Sequence, residues 1–363
     1  MKITAFDLYP LPFAFVGGGY TTSYGTRSHL NNLLLVLHTD AALDGLGEIC
    51  RKAGDSPEPA SAGVSRQCRA LLARLIGADP REPVAVRERL GDIGEDFSNL
   101  GCAVETACFD LLGKACGKPL WQLLGGKSQD SVPVYHTIGQ ASPGLMAAQA
   151  AEAQRQGCRV IQAKVAGGSG IDADSACIDA LLGVLRADAV ILADANGGWD
   201  VEAARAVIGT FDDSRIYWEE PCKTYPQNRR VAESRGVGVI LDQCVTGPRV
   251  VEQACRDGVA RGLGIKCTIQ GGLQAGRDSR DLAVEHGMLL KVDDSWSADV
   301  ATTASLHLAL AVPPRQLIAS VDMWPYFERR ISAEGPVCEA YHMSPNALPG
   351  LGLVAELESL EVD

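Results

Sequence analysis

The sequence predicts an α/β fold: a closed parallel (β/α) barrel carried behind a smaller α+β unit. Three observations predict it. Eight apolar runs beyond Val132 recur roughly 25 to 30 residues apart, Val132 to Ile138, Val160 to Val165, Ala189 to Asp194, Ile216 to Glu219, Val237 to Asp242, Leu263 to Lys266, Met288 to Asp293 and Leu317 to Asp322. The segments between them are amphipathic and mostly Ala-rich, as crossover helices are. Several successive runs end on a charged side chain, and the C-terminal strand ends of a barrel are where its chemistry sits.

The bulk numbers are compatible with this. A chain of 363 residues, 46% hydrophobic and 21% charged, can bury one or two sizeable cores. Its formal charge of −12, without a Lys/Arg-rich block, argues against nucleic acid as a partner. The first residues, Met1 to Asp7, contain polar and acidic groups where a secretory segment needs an apolar run, and no stretch is long enough to span a bilayer, so a cytoplasmic protein is expected. The twelve cysteines are scattered without a Cys-x-x-Cys pair, which predicts small buried hydrophobes and not a disulfide frame or zinc site.

In the first unit, Ile3 to Leu11 and Leu33 to His38 read as strands, and Gly45-Leu46-Gly47-Glu48 reads as the turn closing the second. Between them Phe15 to Gly25 is Gly-rich with interleaved aromatics and has no period, which predicts a mobile loop over a site or a plain hairpin loop. Helical spacing returns from Ser61 to Gly77, from Pro83 to Leu90 and from Gly101 to Cys116, stopped by Gly117-Lys118-Pro119. Leu120 to Leu124 then ends at Gly125-Gly126-Lys127, so the first unit is read as residues 1–127 and the barrel as 128–325. Gly167-Gly168-Ser169-Gly170 and Gly271-Gly272 lack a dinucleotide or phosphate fingerprint and are read as turns.

Asp194, Glu219 and Asp242 end three successive strands and therefore share one mouth. Asp at a strand-to-helix turn is often a helix N-cap. Three such carboxylates in consecutive units, flanked by Lys164 one strand before and Lys266 one strand after, argue instead for a site. Carboxylates that close repel unless a cation neutralises them, and an all-oxygen set suits Mg²⁺ better than zinc. A lysine near a cation has its charged form disfavoured, so Lys164 and Lys266 are expected as bases on opposite faces of a bound carboxylate substrate.

These residues, with Asp194-Ala195-Asn196, Glu219-Glu220-Pro221 and Ile265-Lys266 before Gly271-Gly272-Leu273, resemble the enolase superfamily in its muconate-lactonizing subgroup. The resemblance extends to Gly45 to Glu48, Ala103 to Lys114 and Pro119 to Gly126, hence over nearly the whole chain in order. It implies a modified barrel under an N-terminal α+β cap, the cap being completed by a C-terminal segment, residues 326–363. It also implies Mg²⁺ on Asp194, Glu219 and Asp242, an enediolate formed when an α-proton leaves, and a homo-oligomer.

Two departures bear on the chemistry. The subgroup often has Lys-x-Lys after strand two, where this chain has Gln162-Ala163-Lys164. Its dipeptide epimerases carry Asp-x-Asp at strand eight, where this chain has Ser320-Val321-Asp322. With Val292 to Trp296 and Pro325-Tyr326, the chain looks most similar to the branch of hydroxyproline-betaine epimerases, proline-type racemases and cis-3-hydroxyproline dehydratases. Tyr20, Tyr24, Tyr135, Trp324, Asn196, Asp293 and Asp294 are then candidate substrate contacts, the aromatics and acids suiting a cationic amine; packing of cap on barrel is the competing role for the aromatics. Racemisation or epimerisation of a proline-like amino acid or its betaine is expected, with dehydration of a cis-3-hydroxyproline-type or sugar-acid substrate as the alternative. Dipeptide epimerisation, cycloisomerisation and a non-catalytic barrel rank below these.

Overall fold

A computed structural model describes all residues except 17–18, 23–24, 51–61, 92, 94–97, 169, 295–296, 322, 328–329 and 361–363. The first unit is an antiparallel meander of β1 (Ile3–Ala14), β4 (His29–Thr39) and β5 (Asp44–Ile49), with the hairpin β2 (Tyr20–Thr22) and β3 (Gly25–Arg27) between β1 and β4. Helices α1 (Ala62–Leu72), α2 (Pro83–Glu88), α3 (Ser98–Cys116) and α4 (Leu120–Leu123) follow.

One expectation is corrected here. Gly45 to Glu48 is not a turn but the body of β5, and the turn lies before it, at the left-handed Ala42. The glycines serve helix packing. A Cβ on Gly45 would stand 2.3 Å from the Ala107 carbonyl oxygen, and one on Gly47 2.1 Å from that of Ala103, so only glycine lets α3 lie flat on the strand. That contact buries Val104 and Leu111 completely, each contributing roughly 1.5–3 kcal/mol.

Seven strand-helix units and a final strand form the second unit. β7 (His136–Ile138), β8 (Val160–Lys164), β9 (Val190–Asp194), β10 (Ile216–Glu219), β11 (Val239–Leu241), β12 (Ala260–Lys266), β13 (Leu289–Asp293) and β14 (Leu317–Ser320) are hydrogen-bonded in chain order, all parallel. The seam between the first and last strands is closed by a parallel bridge from Val134 to Ser320, where the Tyr135 N–H donates to the Ser320 carbonyl at 3.2 Å. One step on, the Thr137 N–H finds the Tyr326 hydroxyl at 2.8 Å in place of a strand partner.

The outer wall is α5 (Pro143–Arg155), α6 (Ile171–Leu182), α7 (Val201–Thr210), α8 (Tyr225–Arg235), α9 (Pro248–Asp257), the short α10 (Cys267–Gln270), α11 (Leu273–Glu285) and α12 (Asp299–Ala309). Where the sequence reads one strand from Val132 to Ile138, the chain divides. Val132–Pro133 is β6, an antiparallel partner of the C-terminal hairpin β15 (Val337–Glu339) and β16 (His342–Ser344), and only His136–Ile138 joins the barrel. The strand-eight expectation shortens to Leu317–Ser320, and Asp322 lies outside the described residues. All twelve cysteines are free and seven are buried, as small hydrophobes would be.

Polar groups fix the cap on the barrel. Glu48, at the end of β5, accepts the Ala298 and Ala301 N–H groups at 2.6 and 3.1 Å, capping α12, every residue of which is buried. Asp110 of α3 accepts Leu46 N–H at 3.0 Å and Leu351 N–H at 2.8 Å, joining β5 to the C-terminal segment. His307 of α12 accepts Trp121 N–H at its Nδ1, 3.0 Å away, and its Nε2 donates to the Leu351 carbonyl at 3.2 Å. These partners require a neutral ring, and burial lowers its pKa to about 4.

Replacing His307 by Ala orphans the Trp121 N–H and opens a cavity, and is expected to cost about 2–4 kcal/mol at pH 7.5 in urea unfolding. Because the folded-state pKa is depressed, the neutral ring stabilises fully above the unfolded value, near 6.5, and is lost as pH falls toward 4. The gap between wild type and His307→Ala should therefore narrow by up to about 3 kcal/mol from pH 7.5 to pH 4. A gap independent of pH would contradict the neutral-ring assignment.

Candidate active site

Strand register sets the site. Lys164 pairs with Asp194 and Asp194 with Glu219 across β8, β9 and β10, while Lys266 pairs with Asp293 across β12 and β13. Asp242 immediately follows β11, between the two groups. Period-two alternation turns all six side chains inward at the C-terminal mouth. Asp194, Glu219, Asp242 and Asp293 are at most 2% exposed, and Lys164 and Lys266 are 7% and 9% exposed.

Each expected carboxylate has an ammonium partner. The Lys164 Nζ contacts Asp194 Oδ2, and Lys266 Nζ lies 2.7 Å from Asp242 Oδ2 and 4.0 Å from Asp293 Oδ2. A third lysine, absent from the sequence reading, completes the set. Lys291, wholly buried on β13, donates to Glu219 Oε1 and lies 3.0 Å from Asp293 Oδ2 and 3.8 Å from Asp242 Oδ1. The signal was present: Lys291 interrupts an apolar strand two residues before Asp293, so alternation places both inside the barrel.

Electrostatics follow from this packing. Burial and then the Asp194 carboxylate push the Glu219 carboxyl above its ordinary range. Burial would raise Asp242 as well, but Lys266 and Lys291 together hold it below. For Lys266, burial disfavours the charge, yet Asp242 and Asp293 outweigh it and raise its pKa. The lowered lysine pKa expected from the sequence presupposes a divalent cation drawing those carboxylates away; among side chains alone they grip the ammonium.

Neighbouring residues orient the charged ones. Asn196 donates its backbone N–H to Asp194 Oδ1 at 2.8 Å and its side-chain amide to Oδ2 at 2.9 Å, from a left-handed backbone at φ 47°. Gln162, where the resemblance led to a lysine, donates to Glu219 Oε2 at 3.1 Å. Glu220 accepts from the Asp242 N–H at 2.5 Å and from Cys244 N–H at 3.2 Å, its pKa pushed up to about 8 by burial and then by Asp242. Tyr135 donates its hydroxyl to Asp293 Oδ2 at 3.0 Å.

The candidate substrate contacts separate. Asp293 faces the mouth, whereas Asp294 accepts the Thr268 hydroxyl at 2.6 Å and joins the electrostatic surroundings of Glu48. Trp324, in a 3₁₀ turn after β14, has the Arg330 guanidinium 3.7 Å from its ring centroid. Tyr20 starts β2, whose Thr21 carbonyl accepts the Gln140 N–H at 3.4 Å, so the hairpin touches the loop after β7. The side chain of Tyr20, and Tyr24 and Trp296 altogether, lie outside the described residues.

Three hard carboxylates on adjacent strands form a donor set suited to Mg²⁺, and Asp242 Oδ1 is buried without a hydrogen-bond donor, an orphaned oxygen of the kind a cation would satisfy. Among the described residues no three His, Cys, Asp or Glu side chains gather as an ion would require; each of the three carboxylates pairs with a lysine instead. The donor chemistry fits and the ion pairs are what an arriving cation would displace.

The fold and this charged mouth define an enolase-type barrel enzyme. The chain belongs to the mandelate racemase/muconate lactonizing enzyme family: residues 17–125 match the family's N-terminal domain and residues 145–359 its enolase C-terminal domain-like unit. It is 30% identical to a cis-3-hydroxy-L-proline dehydratase of Roseibium aggregatum over 97% of this chain and 96% of that one. It is 24% identical to an N-succinyl-L-Arg/Lys racemase of Bacillus cereus over 99% and 97%. A magnesium complex of an enolase superfamily member from Roseovarius nubinhibens superposes with a TM-score of 0.89, at 29% identity, covering 99% of this chain and 98% of that one. Among the described residues no helix is long and apolar enough to cross a membrane.

Gly264 faces Asp242 so closely that a Cβ there would stand 2.5 Å from Asp242 Oδ1. Gly264→Ala is expected to fold with a loss of about 1–3 kcal/mol while displacing that carboxylate, so Mg²⁺ binding by calorimetry should weaken by about tenfold or more. Unaltered Mg²⁺ affinity in the folded variant would remove Asp242 from the metal set.

Proposed function

We propose that this enzyme removes the α-proton of a small carboxylate substrate and returns it on the opposite face, racemising or epimerising a proline-like amino acid. The observation that carries the reading is the placement of two buried lysines, Lys164 on β8 and Lys266 on β12, either side of the carboxylates on β9 to β11. Two ammonium/amine groups on opposed faces are the minimal arrangement for 1,1-proton transfer. Asp194, Glu219 and Asp242 would hold Mg²⁺, which when bound neutralises the substrate carboxylate and the charge that develops on it as the proton leaves.

Charge in the mouth suits a single substrate carboxylate. Four buried carboxylates (Asp194, Glu219, Asp242, Asp293) against three lysines (Lys164, Lys266, Lys291) leave −1, and a divalent cation turns this to +1, which one substrate carboxylate neutralises. Asp242 and Asp293 hold the proton on Lys266, and Lys164 contacts Asp194; in the reaction one lysine would act as the base and the other as the acid.

A second reading is dehydration, supported by the 30% identity to the cis-3-hydroxy-L-proline dehydratase. Both reactions start with the same proton abstraction and differ in whether a β-hydroxyl leaves.

A panel of prolines, proline betaines, cis-3-hydroxyprolines, dipeptides and acid sugars followed by ¹H NMR in D₂O separates exchange from elimination. α-Deuteration of both enantiomers of one substrate is the expected result, and elimination without exchange would establish the lyase instead. Lys266→Ala should abolish exchange for one configuration, by about 10²-fold or more, and full exchange of both would sink the two-lysine assignment. EDTA should abolish turnover, with recovery on adding Mg²⁺; turnover in the thoroughly chelated enzyme would defeat the metal assignment.

A further inference from the structure

The third lysine has no part in the proton transfer just described. Lys291 is wholly buried, yet it does not pair with one acid: its ammonium lies among Glu219, Asp293 and Asp242, carried by β10, β13 and the end of β11. It reaches them because β12 offers no side chain in the way. Gly264, the register partner of Lys291, has no Cβ, and one there would collide with Asp242. On the far side of Glu219, the Gln162 amide takes the second carboxylate oxygen at 3.1 Å. Glu219 is thus held between a cation from strand seven and a neutral donor from strand two.

Three carboxylates converging in a dry barrel would repel one another by several kcal/mol in sum and would open the mouth. A lone buried ammonium would be equally costly. Each explains the other. We propose that Lys291 is a positioning residue, a built-in counter-cation that assembles Glu219, Asp242 and Asp293 before any metal arrives and thereby sets how tightly the mouth binds a divalent cation. The inference rests on the metal reading given above. A fixed positive charge against two of the proposed ligands weakens cation binding, and in return keeps the metal-free enzyme folded.

The test uses MgCl₂ as the probe at pH 8, with thermal unfolding in EDTA and isothermal titration. Lys291→Met, close in length and without charge, should melt about 5 °C or more below wild type in EDTA, bind Mg²⁺ about tenfold or more tightly, and gain more thermal stability from Mg²⁺ than wild type does. Lys291→Met/Gln162→Lys returns an ammonium to the other oxygen of Glu219 and should restore the metal-free melting temperature and weaken Mg²⁺ binding again. A wild type that takes up no Mg²⁺ overturns the metal reading and this proposal with it. A wild type that binds Mg²⁺ while folded Lys291→Met binds with the same affinity and melts at the same temperature overturns this proposal alone. If Lys291→Met does not fold, the double variant decides: a folded, Mg²⁺-binding protein supports the counter-cation role, and an unfolded one refutes it.

Discussion

Charge balance in a dry cavity is the constraint on which the rest of the molecule depends. Four carboxylates and three lysines meet at the barrel mouth with almost no solvent to screen them. Removing either partner of such a pair is far costlier than removing a surface ion pair, because the survivor stays charged and buried. The backbone must therefore place each strand end to within a hydrogen-bond length, and the closed parallel register does so. A shift of one residue in any strand would point its acid or lysine out of the barrel.

That precision is visible as local strain. Ala166, Asn196 and Glu220 hold left-handed backbones just beyond β8, β9 and β10, a conformation uncommon for residues with a Cβ. Asn196 and Glu220 use it to hydrogen-bond the neighbouring ligand candidates, Asp194 and the backbone of Asp242. Gly264 relieves crowding on the opposite wall. Cap and C-terminal segment hold the outside of the same barrel through Glu48, Asp110 and His307, so the helix that follows strand seven is fixed at its first and last turns.

Much of this was legible in the sequence, because eight evenly spaced apolar runs and their terminal charges are local signals. Asp194, Glu219, Asp242, Lys164 and Lys266 are brought together as expected. What escaped was decided by tertiary contact. Gly45 and Gly47 looked like turn residues and are instead the flat track for α3, a role that needs the helix to be in place. Lys291 looked like one more lysine until three strands supplied its acids. Asn196, an expected substrate contact, gives its backbone N–H and one side-chain N–H to Asp194, and Arg330 stacks on Trp324 across a turn that no helical or strand period reveals.

The division between what was and was not legible follows the division between chemistry and specificity. The proposed proton abstraction would be built on strand ends, which pattern and register fix, and the chain is similar over nearly its whole length both to a dehydratase and to a racemase. Which atom leaves next depends on what stands beside the substrate's β-carbon. Two elements stand outside the strand ladder: the β2–β3 hairpin touching the loop after β7, and the 3₁₀ turn carrying Trp324. Because these elements are tied to the barrel by a few backbone and ring contacts, they can change without disturbing the charged mouth. On the proposed reading one constellation serves several substrates, and the outcome would be set by the parts of the chain outside that ladder.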